Sequence, residues 1–376
     1  MDQKHLELIT QLRQELHANA ELSGQEYYTK QMLMEFITTH TRLEVVDMGK
    51  WFYAVLKEGD PIAAGKEPIA FRAEMDALPM EESIAVSYAS KNPGAAHKCG
   101  HDGHCASLAG LALELESGAG NWERDIYLIF QHAEEIGAGG AECAQLVKMK
   151  GIKEVYAYHN WSGFPEHTVV VRDGIAQCAS KGFTIFMEGT PSHASEPEHG
   201  KNPAEAISEM VLAIKEDVDE PGYKGRVMAT VVQVEVGSRN FGISASKGQV
   251  SMTLRAEYDR DLHLLEEEIR TSAEELAEEH GLKLSFLESD VFPETVNDSE
   301  ATEKVRKAAK ANGLHVLELQ EAIRGSEDFG YFLKECPGAI FYIGTGENYA
   351  QLHTLEYDFH DGILNTAVEM FKSLIG

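Results

Sequence analysis

Apolar residues recur every three to four positions over about His5–Ala18 and again over Tyr28–Thr39, which predicts two amphipathic helices. The pattern then shortens. LEVVDM and FYAVLK read as brief strands, and IAFRAEMDALP is an apolar strand that runs into acids and stops at Pro79. RDIYLIFQHAEE repeats that design, and EVYAYHN repeats it once more. Helical stretches at about Cys105–Ser117 and Gly140–Lys150 lie between these strands. Strands alternating with helices predict an α/β layer, a mixed and mostly parallel sheet flanked by helices. Ligands gather at the carboxyl ends of such strands, and the polar residues here fall at those ends.

From about Ser180 the texture changes. GFTIFMEG alternates like a half-exposed strand, Pro203–Val218 is helical, Arg226–Val236 and Gln249–Glu257 are strands, Leu262–His280 is a long acidic helix, and KLSFLES is a further strand. This βαββαβ order predicts a small α+β split-βαβ sandwich. The expected organisation is a discontinuous first domain, 1–179 plus 291–376, with a second domain, 180–290, inserted in it. A length of 376 residues agrees with two domains, since single cores stop growing at about 250–300 residues.

Composition narrows the chemistry. The formal net charge is −29, which argues against nucleic acid, whose binding needs Lys and Arg against phosphate, and against an anionic membrane surface. No apolar run reaches the length of a membrane span, and MDQKHLELITQLRQEL has no apolar signal-peptide core. The cysteines (Cys99, Cys105, Cys143, Cys178 and Cys336) are sparse and odd in number, so a disulfide framework is not expected and a reducing cytoplasm is the simplest setting.

The densest chemistry is HKCGHDGH, residues 97–104, with His97, Cys99, His101, Asp102 and His104 in eight positions. A zinc finger would need a second Cys/His pair at set spacing, and none follows nearby. A metal site, a cysteine nucleophile with a histidine base and a polar loop without a role remain open. HAEE, residues 132–135, ends one predicted strand, His159 ends the next, and His353 follows the strand IFYIG. Singly, adjacent glutamates are usually a solvated face and a lone histidine is usually structural. Together they add carboxylate and imidazole to thiolate at strand ends, a set that suits a two-metal hydrolase. Adjacent glutamates can divide the work there, one binding metal and the other staying free to move a proton.

LRQELHANAELSGQE, RAEMDALP, HKCGHDGH, QHAEEIGAGGAE, HASEPEHGKNPAEA, GSEDFGYFL and LHTLEYDF follow one another along nearly the whole chain. In that order they resemble the aminoacylase/carboxypeptidase-like metallo-amidohydrolases. The nearest subgroup holds the N-acyl-amino-acid, indole-acetyl-amino-acid and hippurate hydrolases and the N-acetyldiaminopimelate deacetylases. The resemblance implies a zinc-exopeptidase-like catalytic domain with an inserted lid and dimerisation domain. It implies metal ligands at Cys99, His101, Glu135, His159 and His353, with Cys99 where relatives outside the subgroup have a bridging carboxylate. It implies Glu134 as general base and later acid, Asp76 as the orienting aspartate, and His193 as stabiliser of the oxyanion, reaching in many relatives from a partner subunit. Asn240 and Arg255 match positions that hold the substrate carboxylate, and Gly325 and Ser326 would line the same pocket. The cofactors implied are two divalent ions, zinc or manganese, with cobalt or nickel as substitutes.

Several of these residues have plainer readings. Arg255 could pair with an acid, Asn240 could be a turn residue, and Glu327 and Asp328 could cap a helix start. Asp102 is placed to orient a ligand histidine. RAEMDALP carries Glu74 where the subgroup usually has Asp, and Cys105 reads as packing at a helix start. The expected function is metal-dependent hydrolysis of an N-acyl amino acid with a free α-carboxylate, by a homodimer joined through the inserted domain. Rivals are a dipeptidase or carboxypeptidase of the same mechanism, N-acetyldiaminopimelate deacetylation, and a non-catalytic peptide-binding module.

Overall fold

The computed structural model describes residues 1–57, 67–118, 122–218 and 222–376. They divide into two compact units: Met1–Ala176 with Thr295–Ala322 and Asp328–Gly376, and Gln177–Glu294 with Ile323–Glu327.

The first unit is built on an eight-stranded mixed sheet. Its four middle strands, Ile126–Gln131, Ile69–Glu74, Glu154–Trp161 and Gly338–Gly344, are mutually parallel. Antiparallel partners close it on one side, at Phe52–Leu56 and Glu44–Asp47. On the other, Val169–Val171 runs antiparallel to Gly338–Gly344, and Val316–Glu318 is parallel to it. IAFRAE, IYLIFQ and GAIFYIG are buried along their whole length, as strands covered on both faces must be. One cover is the helix His101–Glu116, in which every residue but the last is buried. It starts four residues earlier than its apolar period suggests. Gly100 takes φ +101° before it, where a Cβ would meet Asn160 Oδ1 at 2.1 Å, so only glycine lets the HKCGHDGH loop turn into the helix at this spot. The helix expected over 140–150 is two short pieces, Gly140–Cys143 and Gln145–Lys150.

The second unit is a four-stranded antiparallel sheet, ordered Val227–Val236, Lys247–Ala256, Ala179–Glu188, Lys283–Phe292. Phe183, Ile185, Met187, Val250, Met252 and Leu254 form its core with the helices Ala204–Val218 and Asp259–Glu279. The segment Ile323–Glu327 joins this unit through a parallel bridge from Ile323 to Gln177 and a bond from the Cys178 N–H to the Ile323 carbonyl. Hydropathy could not place it, because the attachment is a short backbone contact far away in sequence. No helix among the described residues is long and apolar enough to cross a membrane.

Candidate metal centre

The donors named from the sequence that belong to the first unit meet at the carboxyl ends of its parallel strands. Cys99 and His101 stand where the buried helix begins, Glu134 and Glu135 follow Ile126–Gln131, His159 lies near the end of Glu154–Trp161, and His353 follows Gly338–Gly344. Cys99 Sγ is 3.4 Å from His159 Nε2 and 3.3 Å from His353 Nε2. Glu135 sends Oε1 to 3.8 Å from His101 Nε2 and Oε2 to 3.7 Å from His353 Nε2. These atoms make overlapping triads, Cys99–His101–His159, Cys99–Glu135–His353 and His101–Glu134–Glu135, each within 4.8 Å.

The imidazoles are set for ligation. His159 Nδ1 donates to the Asn160 carbonyl at 2.8 Å, and His101 Nδ1 donates to the Asp76 carbonyl at 2.9 Å with Asp76 Oδ1 at 3.3 Å. A carbonyl cannot donate, so Nδ1 carries the proton in both rings and Nε2 faces the cluster. His101 Nε2 is buried and makes no hydrogen bond among the described residues. A tetrahedral ion with sulfur at about 2.3 Å and nitrogen at about 2.0 Å separates the two by about 3.5 Å, which the S···N distances here match. Thiolate, imidazole and carboxylate in these positions therefore fit a zinc-like ion.

Electrostatics point the same way. Burial, then Glu135 and Glu134, push the Cys99 thiol well above its usual range. A nucleophilic cysteine needs the opposite, an electropositive setting that lowers it, so the cysteine-amidase alternative loses its support. Burial opposes the His101 imidazolium, but Asp76, Glu74 and Glu135 outweigh it and hold its pKa up at about 10. Burial pushes His159 and His353 down. Without a cation, His101 and Cys99 thus both hold protons at neutral pH, and a cation must displace them. Two consequences follow in sign. Apparent metal affinity rises with pH between about 6.5 and 9, by up to about 100-fold per unit if both protons leave. The metal-free fold gains from the raised His101 value below about pH 6.5 and loses that gain as pH climbs toward 10. Chelator competition and melting curves at pH 6.5 and 8.5 check both, and an affinity flat across that range contradicts this proton inventory.

Two of the four non-glycine residues with left-handed φ among the described residues lie here. Ala133 and His353 have φ of +51° and +61°, unusual for residues with a Cβ. The His353 N–H is tied to the Lys98 carbonyl at 2.8 Å. Glu134 is 6% exposed, its Oε1 3.4 Å from the Asp328 N–H and its Oε2 3.8 Å from His101 Nε2.

Other assignments change. Asp102 does not hold a ligand histidine; its Oδ2 lies 2.8 Å from His17 Nδ1, because its side chain turns to the N-terminal helix Gln3–Ala18. Asp76 is the acid beside His101 Nδ1. The Asp328 carboxylate reaches into the sheet and to another helix start. It is fully buried and bonds Arg72, Gln131 and the Gly140 N–H. Glu74 bonds His104 Nδ1 at 2.7 Å, His104 Nε2 lies 2.7 Å from Asn160 Oδ1, and Cys105 Sγ donates to the Glu74 carbonyl. His97 is buried with neither ring nitrogen bonded among the described residues, and burial lowers it to about 4, so it is neutral. The side chain of Asn160 carried no sequence signal, since its contact with His104 lies 56 positions away.

In the second unit, His193 is exposed, its Nδ1 2.7 Å from Ser195 Oγ, and it pairs with Ile243 in a two-residue ladder. Asn240 Oδ1 accepts from the Gly242 N–H at 3.1 Å, so the turn reading of this residue describes its local bond. Arg255 pairs with no acid within 4 Å among the described residues. Its Nη1 donates to the Arg324 carbonyl and to Ser326 Oγ, both at 3.0 Å, which brings Arg255, Gly325 and Ser326 together.

The family model described as Peptidase family M20/M25/M40 matches residues 70–376. The chain is similar to the N-acetylcysteine deacetylase of Bacillus subtilis, with 26% identity over 98% of this chain and 96% of that protein. It is also similar to the hippurate hydrolase of Campylobacter jejuni, with 28% identity over 96% and 94%. Among solved structures, a dinuclear metal-binding peptidase from Bacillus subtilis superposes with a TM-score of 0.82 at 24% identity, covering 100% of this chain and 98% of that one, a likeness of fold.

Proposed function

The chain belongs to peptidase family M20/M25/M40, and from that premise we propose a metal-dependent amidohydrolase that releases an amino acid from an N-acyl amino acid. The observation that carries the proposal is the meeting of Cys99, His101, Glu135, His159 and His353 with a second glutamate, Glu134, beside them. In this reading those five hold two divalent ions, Cys99 and Glu135 each facing more than one histidine. Thiolate favours zinc, with manganese, cobalt or nickel as substitutes. When bound, such ions would polarise the scissile carbonyl and lower the pKa of a water so that it could give up a proton and attack at neutral pH.

The protein's own groups do the rest. Glu134 takes the attacking water's proton on its carboxylate and returns it to the leaving nitrogen. Asp76 keeps His101 in its Nδ1–H tautomer. His193 donates to the carbonyl oxygen as negative charge gathers there. Arg255 grips the α-carboxylate with Gly325 and Ser326 beside it, while Asn240 follows Val227–Val236 at the Gly248 end of the neighbouring strand, away from Arg255, and would join that pocket from a second copy. A non-catalytic binding module would have no use for Glu134. Exposed Val232 and Val234, on the edge strand Val227–Val236, support pairing of two copies through the second unit.

Amine release tests this reading. Zinc-loaded protein is offered N-acetyl, N-benzoyl and indole-acetyl amino acids, N-acetyldiaminopimelate, dipeptides, and the same N-acyl amino acids with the α-carboxylate amidated. Turnover of free carboxylates is expected, and the class hydrolysed fastest identifies the acyl group and separates deacylase from dipeptidase. Arg255→Ala should lower kcat/KM on free carboxylates by about 10–100-fold, the worth of one charge-assisted contact, and hardly alter turnover of the amidated set. Equal rates on both sets would refute the carboxylate grip.

A further inference from the structure

The segment Arg13–Glu26 lies outside residues 70–376, the span of the family model, although its sequence is among the runs that resemble the family, and the reaction described above gives it no task. Its side chains nonetheless end at both loops that carry the donors. His17 Nδ1 is 2.8 Å from Asp102 Oδ2, and its Nε2 is 2.8 Å from Glu82 Oε2. Carboxylates accept on both sides, so the ring carries a proton on each nitrogen. The other oxygen of Glu82 accepts from Lys98 Nζ at 2.6 Å, and Lys98 also donates to the Tyr357 carbonyl at 2.9 Å. Lys98 and Asp102 flank Cys99 and His101 in sequence, and His17 joins them from behind through Glu82. Arg13 extends the alternation of charge, 3.7 Å from Asp102 and bonded through Nε and Nη2 to both oxygens of Asp361. Arg13, His17 and Lys98 are 0% exposed.

The far end of the segment meets the other loop. Ser23 Oγ donates to Asp76 Oδ2 at 2.7 Å, and the same oxygen accepts from the Glu135 N–H at 2.9 Å. Glu26 Oε1 accepts from the N–H of Ala133 at 2.7 Å. Ala133 is the residue in left-handed conformation just before Glu134 and Glu135, and such strain persists only where neighbours fix it.

We propose that Arg13–Glu26 is a positioning element of the reaction centre: His17 fixes the loop presenting Cys99 and His101, while Ser23 and Glu26 fix Asp76 and the turn presenting Glu134 and Glu135. None of these residues touches substrate. The inference rests on the metal-site reading above. A buried charged chain is a poor way to gain stability over apolar packing, whereas it specifies position, which a ligand loop needs.

The test separates positioning from packing. Wild type, His17→Gln, Ser23→Ala and, as control, Arg42→Ala, whose exposed side chain pairs with Glu116, are stripped of metal and melted. Zinc is then titrated against a chromophoric chelator, and the cobalt-loaded spectra are recorded. His17→Gln should weaken zinc binding by about 10–100-fold, the range for groups behind metal ligands, and alter the sulfur-to-cobalt band. Ser23→Ala should shift both in the same direction by less, and Arg42→Ala should shift neither. At saturating zinc, kcat should fall in the first two with KM held. Lower melting with wild-type zinc affinity and cobalt spectrum would overturn the proposal. If His17→Gln does not fold, Ser23→Ala, a half-buried hydroxyl, decides alone. Wild type that binds no zinc overturns the site reading and this inference together, whereas wild type that binds beside variants that bind equally overturns only this one.

Discussion

Replacing Glu134 with Gln should cut kcat by about 10²–10⁴-fold, the usual worth of a positioned acid–base group, and leave the metal content unchanged. The geometry separates the two glutamates. Glu135 directs its oxygens at His101 and His353, whereas Glu134 places Oε2 at 3.8 Å from His101 Nε2 and takes the Asp328 N–H on Oε1. Glutamine keeps the shape and the acceptor for that N–H, but it cannot take a proton from water at neutral pH. Metal analysis beside steady-state kinetics makes the comparison. Glu135→Gln should instead lose metal and activity together. A Glu134→Gln enzyme within a few-fold of wild type would remove Glu134 from the proton path.

The largest loss of stability should come from Asp328→Ala, about 3–5 kcal/mol, the usual cost of leaving one partner of a buried ion pair behind. Asp328 Oδ1 accepts from Arg72 Nη2 at 2.6 Å and Gln131 Nε2 at 2.7 Å, and Oδ2 accepts from the Gly140 N–H at 2.7 Å. Arg72 is buried in the middle of the sheet, where Glu74 and Gln131 also bond it. Removing Asp328 strands part of a guanidinium and a helix-start N–H out of reach of water. Asp328→Asn, which keeps the shape and loses the charge, should fall between. Urea unfolding of metal-free protein measures both, and a loss below about 1 kcal/mol for Asp328→Ala would show that water or rearrangement satisfies Arg72.

The sequence made the sheet and the strand-end positions of Glu134, Glu135, His159 and His353 legible for one reason, while the roles of these residues and of Cys99 and His101 came from resemblance. Strands such as IYLIFQ are apolar throughout because both faces are covered, and a His or Glu just after such a run must lie at a strand end. What it could not show was which buried polar group answers which. Asp102 looked like the partner of a nearby histidine, yet it meets His17, 85 positions away. Asp328 looked like a helix cap from its neighbours, yet its partners lie on two other strands and a distant helix start. Arg255 looked ready to pair in an acidic chain, yet the acids near it in sequence do not reach it. Local pattern reports burial and periodicity, while side-chain pairing depends on tertiary approach.

The most direct test of the central claim is amine release from the best N-acyl amino acid, followed as zinc is returned stepwise to metal-free protein. Activity should start near zero, rise with each equivalent, level off at two per chain, and stay absent in His159→Ala at any equivalent tested. Full activity in the metal-free protein, or a rise that His159→Ala shares, would contradict the claim that these side chains hold the ions that drive hydrolysis.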